Sequence, residues 1–183
     1  MRKLIFAINV TLDGCCDHTK SSGSEEMLQH YKQLLQEVDL LVYGRKTYQL
    51  MVPYWPDAAK DPSSSKGEKE FAQTFDSIPK VVFSRSLASA EDNNTRITHA
   101  DLRGEILKLK QEPGKSILTG GVSLPSQLVE LGLVDEVRVV VGPVVVGKGR
   151  RLFEDVSLQG KLQLKLVDSK ILKSGCVALH YSK

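Results

Sequence analysis

The chain has 183 residues, 41% of them hydrophobic, which suffices for one domain to bury a core without metal or disulfide staples. Its 25 basic residues against 22 acidic ones, a formal charge of +3, lack the clustered excess of a nucleic-acid binder, and no run approaches the roughly 18 consecutive apolar residues of a membrane helix. The three cysteines, two of them adjacent at Cys15 and Cys16, make a poor disulfide framework, and the start of the chain turns polar at Asn9 too soon for a signal peptide. The expected location is therefore the cytoplasm, with neither a nucleic acid nor a membrane as partner.

Lys3–Asn9 reads as the first strand. The clearest helix covers Ser24 to Val38, where Met27, Tyr31, Leu34, Leu35 and Val38 form an apolar stripe. Ser24 is its N-cap, and Glu25 and Glu26 suit the positive end of the dipole. A strand at Leu40–Tyr43 passes through Gly44 into a short helix that opens on Arg45-Lys46-Thr47. Met51–Lys66 carries three prolines and no apolar period, so it reads as a loop. That loop holds the sole tryptophan, Trp55, either as a lid over a flat ring or as an anchor to the core. A helix over Gly67–Phe75, a strand at Lys80–Ser84, a helix over Asp101–Lys110 and a strand at Ser116–Thr119 follow. After Gly120-Gly121 another helix starts near Leu124, with Leu128, Val129 and Leu131 on its apolar face, and Glu136–Val141 is the next strand. This alternation implies one α/β domain over residues 1–183, with a largely parallel sheet flanked by helices. Lys161–Leu166 alternates strictly, and Cys176–Tyr181 returns beside it after Asp168-Ser169, so the sheet is mixed and ends in an antiparallel hairpin.

Two segments run from strand through a glycine turn into a helix start: Leu40–Thr47 and Ser116–Leu124. That layout presents backbone N–H groups to a phosphate, and two of them in one small domain suggest a nucleotide. Gly142-Pro143-Val144-Val145-Val146-Gly147-Lys148-Gly149 fits a nucleoside-triphosphate P-loop except at its last position, where a magnesium-binding hydroxyl should stand, and its valines favour extended chain. A G-x-G-x-x-G dinucleotide fingerprint is also lacking. Cys15-Cys16-Asp17-His18 packs its side chains too closely to share one ion, so no metal is expected. His30, His99 and His180 have no surroundings that mark a base for a cysteine nucleophile. Chemistry that asks little of protein side chains remains, and hydride transfer from a nicotinamide is such a case. Arg85, after the strand Lys80–Ser84, with Arg45 and Lys46, would suit a ribose 2′-phosphate.

Five motifs in order carry a family resemblance: Asn9-x-Thr11-Leu12-Asp13-Gly14, Gly44-Arg45-Lys46-Thr47-Tyr48, Val82-Phe83-Ser84-Arg85, Leu118-Thr119-Gly120-Gly121, and Gly142-Pro143-Val144-x-x-Gly147-x-Gly149-x-x-Leu152-Phe153. Over nearly the whole chain they resemble the dihydrofolate-reductase-like superfamily, in the branch related to the reductase domain of the bifunctional riboflavin-biosynthesis deaminase-reductase. The resemblance implies a dihydrofolate-reductase-like three-layer fold with NADPH lying across the sheet. Ala7 would hold the nicotinamide carboxamide, and Cys16 and Asp17 would edge the ring. Gly44, Arg45, Lys46 and Thr47 would meet phosphate at one helix start, and Thr119, Gly120, Gly121, Val122, Ser123 and Leu124 at the other. Ser84 and Arg85 would take the 2′-phosphate. The branch is commonly dimeric, and the apolar Val137–Val146 region is the expected homodimer interface.

Two departures from the superfamily stand out. The tryptophan and carboxylate of dihydrofolate reductases proper are replaced by Lys20–Met27, and Thr119 stands where riboflavin reductases carry a glutamate. Asp13 is the residue expected to be catalytic or to face substrate, together with Trp55; a turn aspartate that caps its own backbone is the alternative. The expected function is NADPH-dependent reduction of a small heterocycle, most specifically of the riboflavin-pathway aminopyrimidine 5-amino-6-(5-phosphoribosylamino)uracil. A non-catalytic NADP-binding module and a weak dihydrofolate reductase are the alternatives.

Overall fold

The computed structural model describes residues 1–17 and 24–183. Among these residues eight strands form one sheet in the order β4-β3-β2-β5-β1-β6-β8-β7. In chain order these are β1 (Leu4–Thr11), β2 (Val38–Gly44), β3 (Lys80–Phe83), β4 (Thr95–Thr98), β5 (Ser116–Thr119), β6 (Glu136–Gly142), β7 (Lys165–Ile171) and β8 (Val177–Ser182). The helices are α1 (Glu25–Gln36), α2 (Arg45–Lys60), α3 (Lys66–Ser77), α4 (Leu102–Gln111) and α5 (Ser123–Glu130). The strands from β4 across to β6 run parallel. Only β8 and β7 are antiparallel to their neighbours.

Alternation along β1 sorts the core into two layers. Leu4, Phe6, Ile8 and Val10 pack with Ile106 and Leu109 of α4 and Leu124, Leu128 and Val129 of α5. Ile5 and Ala7 face the other way, onto Leu34 and Leu35 of α1, Tyr48 and Val52 of α2, and Phe71 and Phe75 of α3. The sheet is thus covered on both sides, the architecture that the alternating pattern implied.

The structure revises several boundaries. Residues 51–60 are not a loop: α2 continues to Lys60 through Pro53 and Pro56, and only a short turn precedes α3. An interior proline costs a helix about 3 kcal/mol, but Tyr48 and Val52 are buried against α1 and α3 and Ala58 is buried further along, and that packing offsets the cost. The first strand of the hairpin is Lys165–Ile171 rather than Lys161–Leu166, because Leu162 and Leu164 pack onto the α4–α5 layer and leave the alternating segment outside the sheet. Asp168 and Ser169 therefore lie inside β7, and the reversal comes at Leu172–Cys176, where the Leu172 N–H donates to the Cys176 carbonyl at 2.8 Å. The short edge strand β4 carries no strong sequence signal. Finally, Val137, Val139 and Val140 are buried within β6, between β1 and β8, so the β6 part of the region expected to form a dimer interface is core, while Val144 and Val145 beyond it are exposed.

Candidate active site

The notch that matters is made by strand length. Strand β5 stops at Thr119, opposite Phe6 of β1 and Val42 of β2, while β1 continues to Thr11 and β2 to Gly44. The C-terminal ends of β1 and β2 therefore project past β5, and Gly120-Gly121 forms the floor between them. Helix α1 leaves β1 on one face of the sheet and α5 leaves β5 on the other. Such a reversal at the carboxyl end of parallel strands is where α/β sheets place their ligands.

The two glycine turns meet here. A Cβ on Gly44 would lie 3.5 Å from that of Leu124, and one on Gly120 would lie 3.4 Å from the Ala7 carbonyl oxygen and 3.5 Å from Tyr43. A Cβ on Gly121, whose φ is +84°, would sit 2.1 Å from Thr47 Oγ1. One strand further along, Phe83 of β3 stands opposite Gly44, so Ser84 and Arg85 begin level with Arg45. The fold thus gathers Ala7, Gly44–Thr47, Ser84–Arg85 and Thr119–Leu124 along the C-terminal ends of four adjacent strands.

The helix starts differ in a consistent way. Ser24 caps α1, Ser65 caps α3 in a full capping box with Glu68, and Asp101 caps α4; each of these helices also carries an acid in its first turn. Helices α2 and α5, the two that begin in the notch, have neither a side-chain cap nor a first-turn acid. Helix α2 even places exposed Arg45 and Lys46 at the positive end of its dipole. Amide donors without a side-chain cap, a positive dipole and cations unpaired among the described residues together favour an anion at this place. The chemistry of this donor set fits a pyrophosphate, and the closeness of Gly120 and Gly121 to Ala7 and Thr47 provides a cradle that side chains would fill. Thr119 is fully buried, and its Oγ1 has no hydrogen-bond partner among the described residues.

The remaining expected residues lie in distinct settings. The Ser84 hydroxyl accepts from the N–H groups of Ser86, at 3.2 Å, and Leu87, at 2.9 Å, and so shapes its turn, while Arg85 beside it is exposed. Asp13 is bound into a loop. Its carboxylate accepts from Thr11 Oγ1 at 2.6 Å and from the Gly147 N–H at 2.9 Å, and Arg151 stands 3.7 Å away. The Thr11 hydroxyl and the Gly147 and Val146 amides pull its pKa down to about 2. That environment holds the carboxylate ionised and suits a positioning residue better than a proton donor. Burial pushes the half-buried Cys16 thiol up to about 11, which keeps it neutral. Asp17 is half-buried on the same turn. Trp55 lies ten residues beyond Arg45 on α2, roughly 15 Å of helix, with its ring centroid 4.4 Å from that of Phe71 in the packed layer of α2 and α3.

The segment that resembled a P-loop serves as a buttress. It folds back over the first turn, with the Leu12 N–H donating to the Val144 carbonyl and the Cys16 N–H to the Arg150 carbonyl, both at 2.8 Å. Gly149, at φ +142°, leaves the space that Cys15 Sγ needs, since a Cβ there would lie 2.5 Å from the sulfur. This fold-back delivers a residue that sequence reasoning missed: Arg150 donates to Ser123 Oγ, in the first turn of α5, at 3.0 Å, while Asp155 and Glu154 steady its guanidinium. A second missed pair lies on the α1 side, where the Tyr31 hydroxyl donates to Asn9 Oδ1 at 2.5 Å.

Two open depressions, of about 660 and 640 Å³, lie elsewhere. The first sits at the N-terminal ends of the strands, where Arg2 is already paired with Asp39 and Arg96 with Glu105. The second lies between α2 and Glu91–Asn94. Neither presents uncapped helix donors, so the notch is the better candidate. Among the described residues no helix is long and apolar enough to cross a membrane, and no group of three or more His, Cys, Asp or Glu side chains is placed to hold a metal ion.

Comparison with known proteins agrees with this architecture. The chain is 35% identical over 184 residues to the uncharacterized protein YyaP of Bacillus subtilis (strain 168), covering 98% of this chain and 94% of that one. In fold it is similar to a candidate riboflavin biosynthesis protein from Shewanella sp. PV-4, with a TM-score of 0.74 at 17% identity over 98% of each chain. It is also similar to Enterococcus faecalis dihydrofolate reductase, which was solved in complex with NADP(H), with a TM-score of 0.65 at 13% identity over 98% of this chain and 95% of that one. The sheet order, the flanking helices and the terminal hairpin are those of the dihydrofolate-reductase-like fold. A family model described as the RibD C-terminal domain matches residues 2–178, and the chain belongs to that family.

Proposed function

We propose that the protein is an NADPH-dependent reductase of a small heterocyclic substrate, acting by direct hydride transfer, most specifically on an aminopyrimidine like 5-amino-6-(5-phosphoribosylamino)uracil. The observation that carries this reading is the pair of uncapped, acid-free helix starts at α2 and α5, the two that open on the same notch. Family membership supports the reductase chemistry. Arg45, Lys46 and Thr47, with Gly120–Leu124 opposite, would hold the pyrophosphate, and Arg85 would engage the 2′-phosphate by its fork of donors. Ala7 would offer its carbonyl to the carboxamide. The nicotinamide supplies the hydride, and the chain binds, orients and keeps water away. Asp13 acts by pinning residues 146–147 over the first turn.

The test is NADPH oxidation in the presence of the aminopyrimidine, with C4-deuterated NADPH to follow the label. Deuterium in the product supports direct hydride transfer. Saturable NADPH binding without consumption would instead favour a non-catalytic module sharing the same cradle, and an absence of NADPH binding would overturn both readings.

A further inference from the structure

One polar pair beside the notch, Asn9 and Tyr31, is not among the residues assigned above to the dinucleotide. Asn9 lies two residues beyond Ala7 on the same face of β1, about 7 Å further along the strand. It is past the end of β5, whose last pairing is Thr119 with Phe6. Tyr31 reaches it from α1 across 22 residues of sequence. Burial raises the Tyr31 phenol well above its usual range, so the hydroxyl keeps its proton and needs an acceptor. Among the described residues Asn9 Oδ1 is that acceptor, which fixes the amide orientation and turns the Nδ2 donors away from Tyr31. Asn9 is half-buried, and among the described residues Nδ2 has no partner.

Resting on the reductase reading above, we propose that Asn9, oriented by Tyr31, is a specificity-determining residue whose amide donates to a ring carbonyl of the acceptor substrate. The site then takes a heterocycle that presents a carbonyl oxygen at that point, as a pyrimidinedione does. A 2,4-diaminopyrimidine presents N–H donors there and, once protonated on the ring, calls for a carboxylate. An amide whose oxygen is already engaged meets such a ring donor to donor. Buried polar groups left unpaired in this way reject the wrong ring by large factors.

The experiment measures binding of 5,6-diaminouracil and of 2,4-diaminopyrimidine by calorimetry, with NADP⁺ saturating, for the wild type and for Asn9→Asp, Asn9→Ala and Tyr31→Phe. NADPH affinity is titrated separately for each protein. The wild type is expected to favour the dione by about tenfold or more. Asn9→Asp should reverse the preference, since a carboxylate repels the carbonyl and accepts from the diamine. Tyr31→Phe should weaken dione binding by about threefold through loss of orientation. NADPH affinity should be unchanged throughout. If Asn9→Asp fails to fold, Asn9→Ala carries the test by abolishing the preference. A wild type that binds the two rings equally, or a preference untouched in the folded Asn9 variants, would overturn the assignment. Failure of the wild type to bind NADPH would count instead against the reductase reading.

Discussion

Gly121 and Thr47 lie so close that a Cβ on the glycine would fall 2.1 Å from the threonine hydroxyl oxygen. The chain leaving β5 is thereby pressed against the first turn of α2, and two helix starts far apart in sequence face one notch. Gly121→Ala should weaken NADPH binding by at least about tenfold, ~1.4 kcal/mol, because it adds the clash to a positive φ that a side chain rarely adopts. Cofactor fluorescence measures this. The double variant Gly121→Ala/Thr47→Ala should recover part of the thermal stability but little of the affinity, since the strained φ persists.

Arg45 and Lys46 oppose the dipole of α2. Replacing both by alanine should raise the melting temperature slightly, or leave it unchanged, while weakening NADPH binding and flattening its salt dependence. Titrations at low and high ionic strength separate the two effects. A large loss of stability would show that the cations serve the fold rather than a ligand.

Asp13 is expected to matter for the loop rather than for proton transfer. Its carboxyl ionises near 2 in the folded protein instead of at 3.8, so its contribution to stability is complete above the higher value and lost as pH falls through the lower one. Asp13→Asn should therefore cost a constant amount of stability near neutrality, and the difference from wild type should vanish towards about pH 2. Turnover should fall by a few-fold only, without a displaced pH–rate profile. Denaturant melts across pH, read beside kcat, check both halves.

The thiol of Cys16, pushed up to about 11, should resist alkylation. At about pH 8 its thiolate fraction is too small for rapid reaction with iodoacetamide, and mass spectrometry of the folded protein should show it unmodified long after a free thiol has reacted. Fast labelling at Cys16 would mean that the packing around it is wrong.

Strand β7 is exposed along its whole length, with Leu166 at 49%, Val167 at 53% and Ile171 at 81% exposure, and among the described residues its outer edge has no neighbouring strand. An open apolar edge invites a second copy, so the homodimer expected for this chain is proposed to form there rather than on β6. Light scattering should give a dimer for the wild type and a monomer for Ile171→Lys. A wild-type monomer would refute this assignment.

Much of this site was legible in the sequence because it is built from local signals. Gly44 and Gly120-Gly121 mark turns, and Arg45, Lys46 and Arg85 follow strands directly. What sequence reasoning missed depends on contacts between distant residues. The bond between Arg150 and Ser123 spans 27 residues and exists only because the 142–151 segment folds back on Thr11–Asp17. Prolines 53 and 56 obscured α2, since their cost is local whereas the burial of Tyr48 and Val52 that offsets it is tertiary. The hairpin shifted for a similar reason: Lys161–Leu166 alternates correctly for a strand, but Leu162 and Leu164 spend their apolar surface on the α4–α5 layer.

The most direct test of the central claim is a fluorescence titration of the protein with NADPH and with NADH, repeated for Arg85→Ala. Saturable binding that prefers NADPH, with the preference but not all of the affinity lost in the variant, is the result expected if the notch holds the dinucleotide with Arg85 on its 2′-phosphate. Binding of neither nucleotide by the wild type would contradict the account.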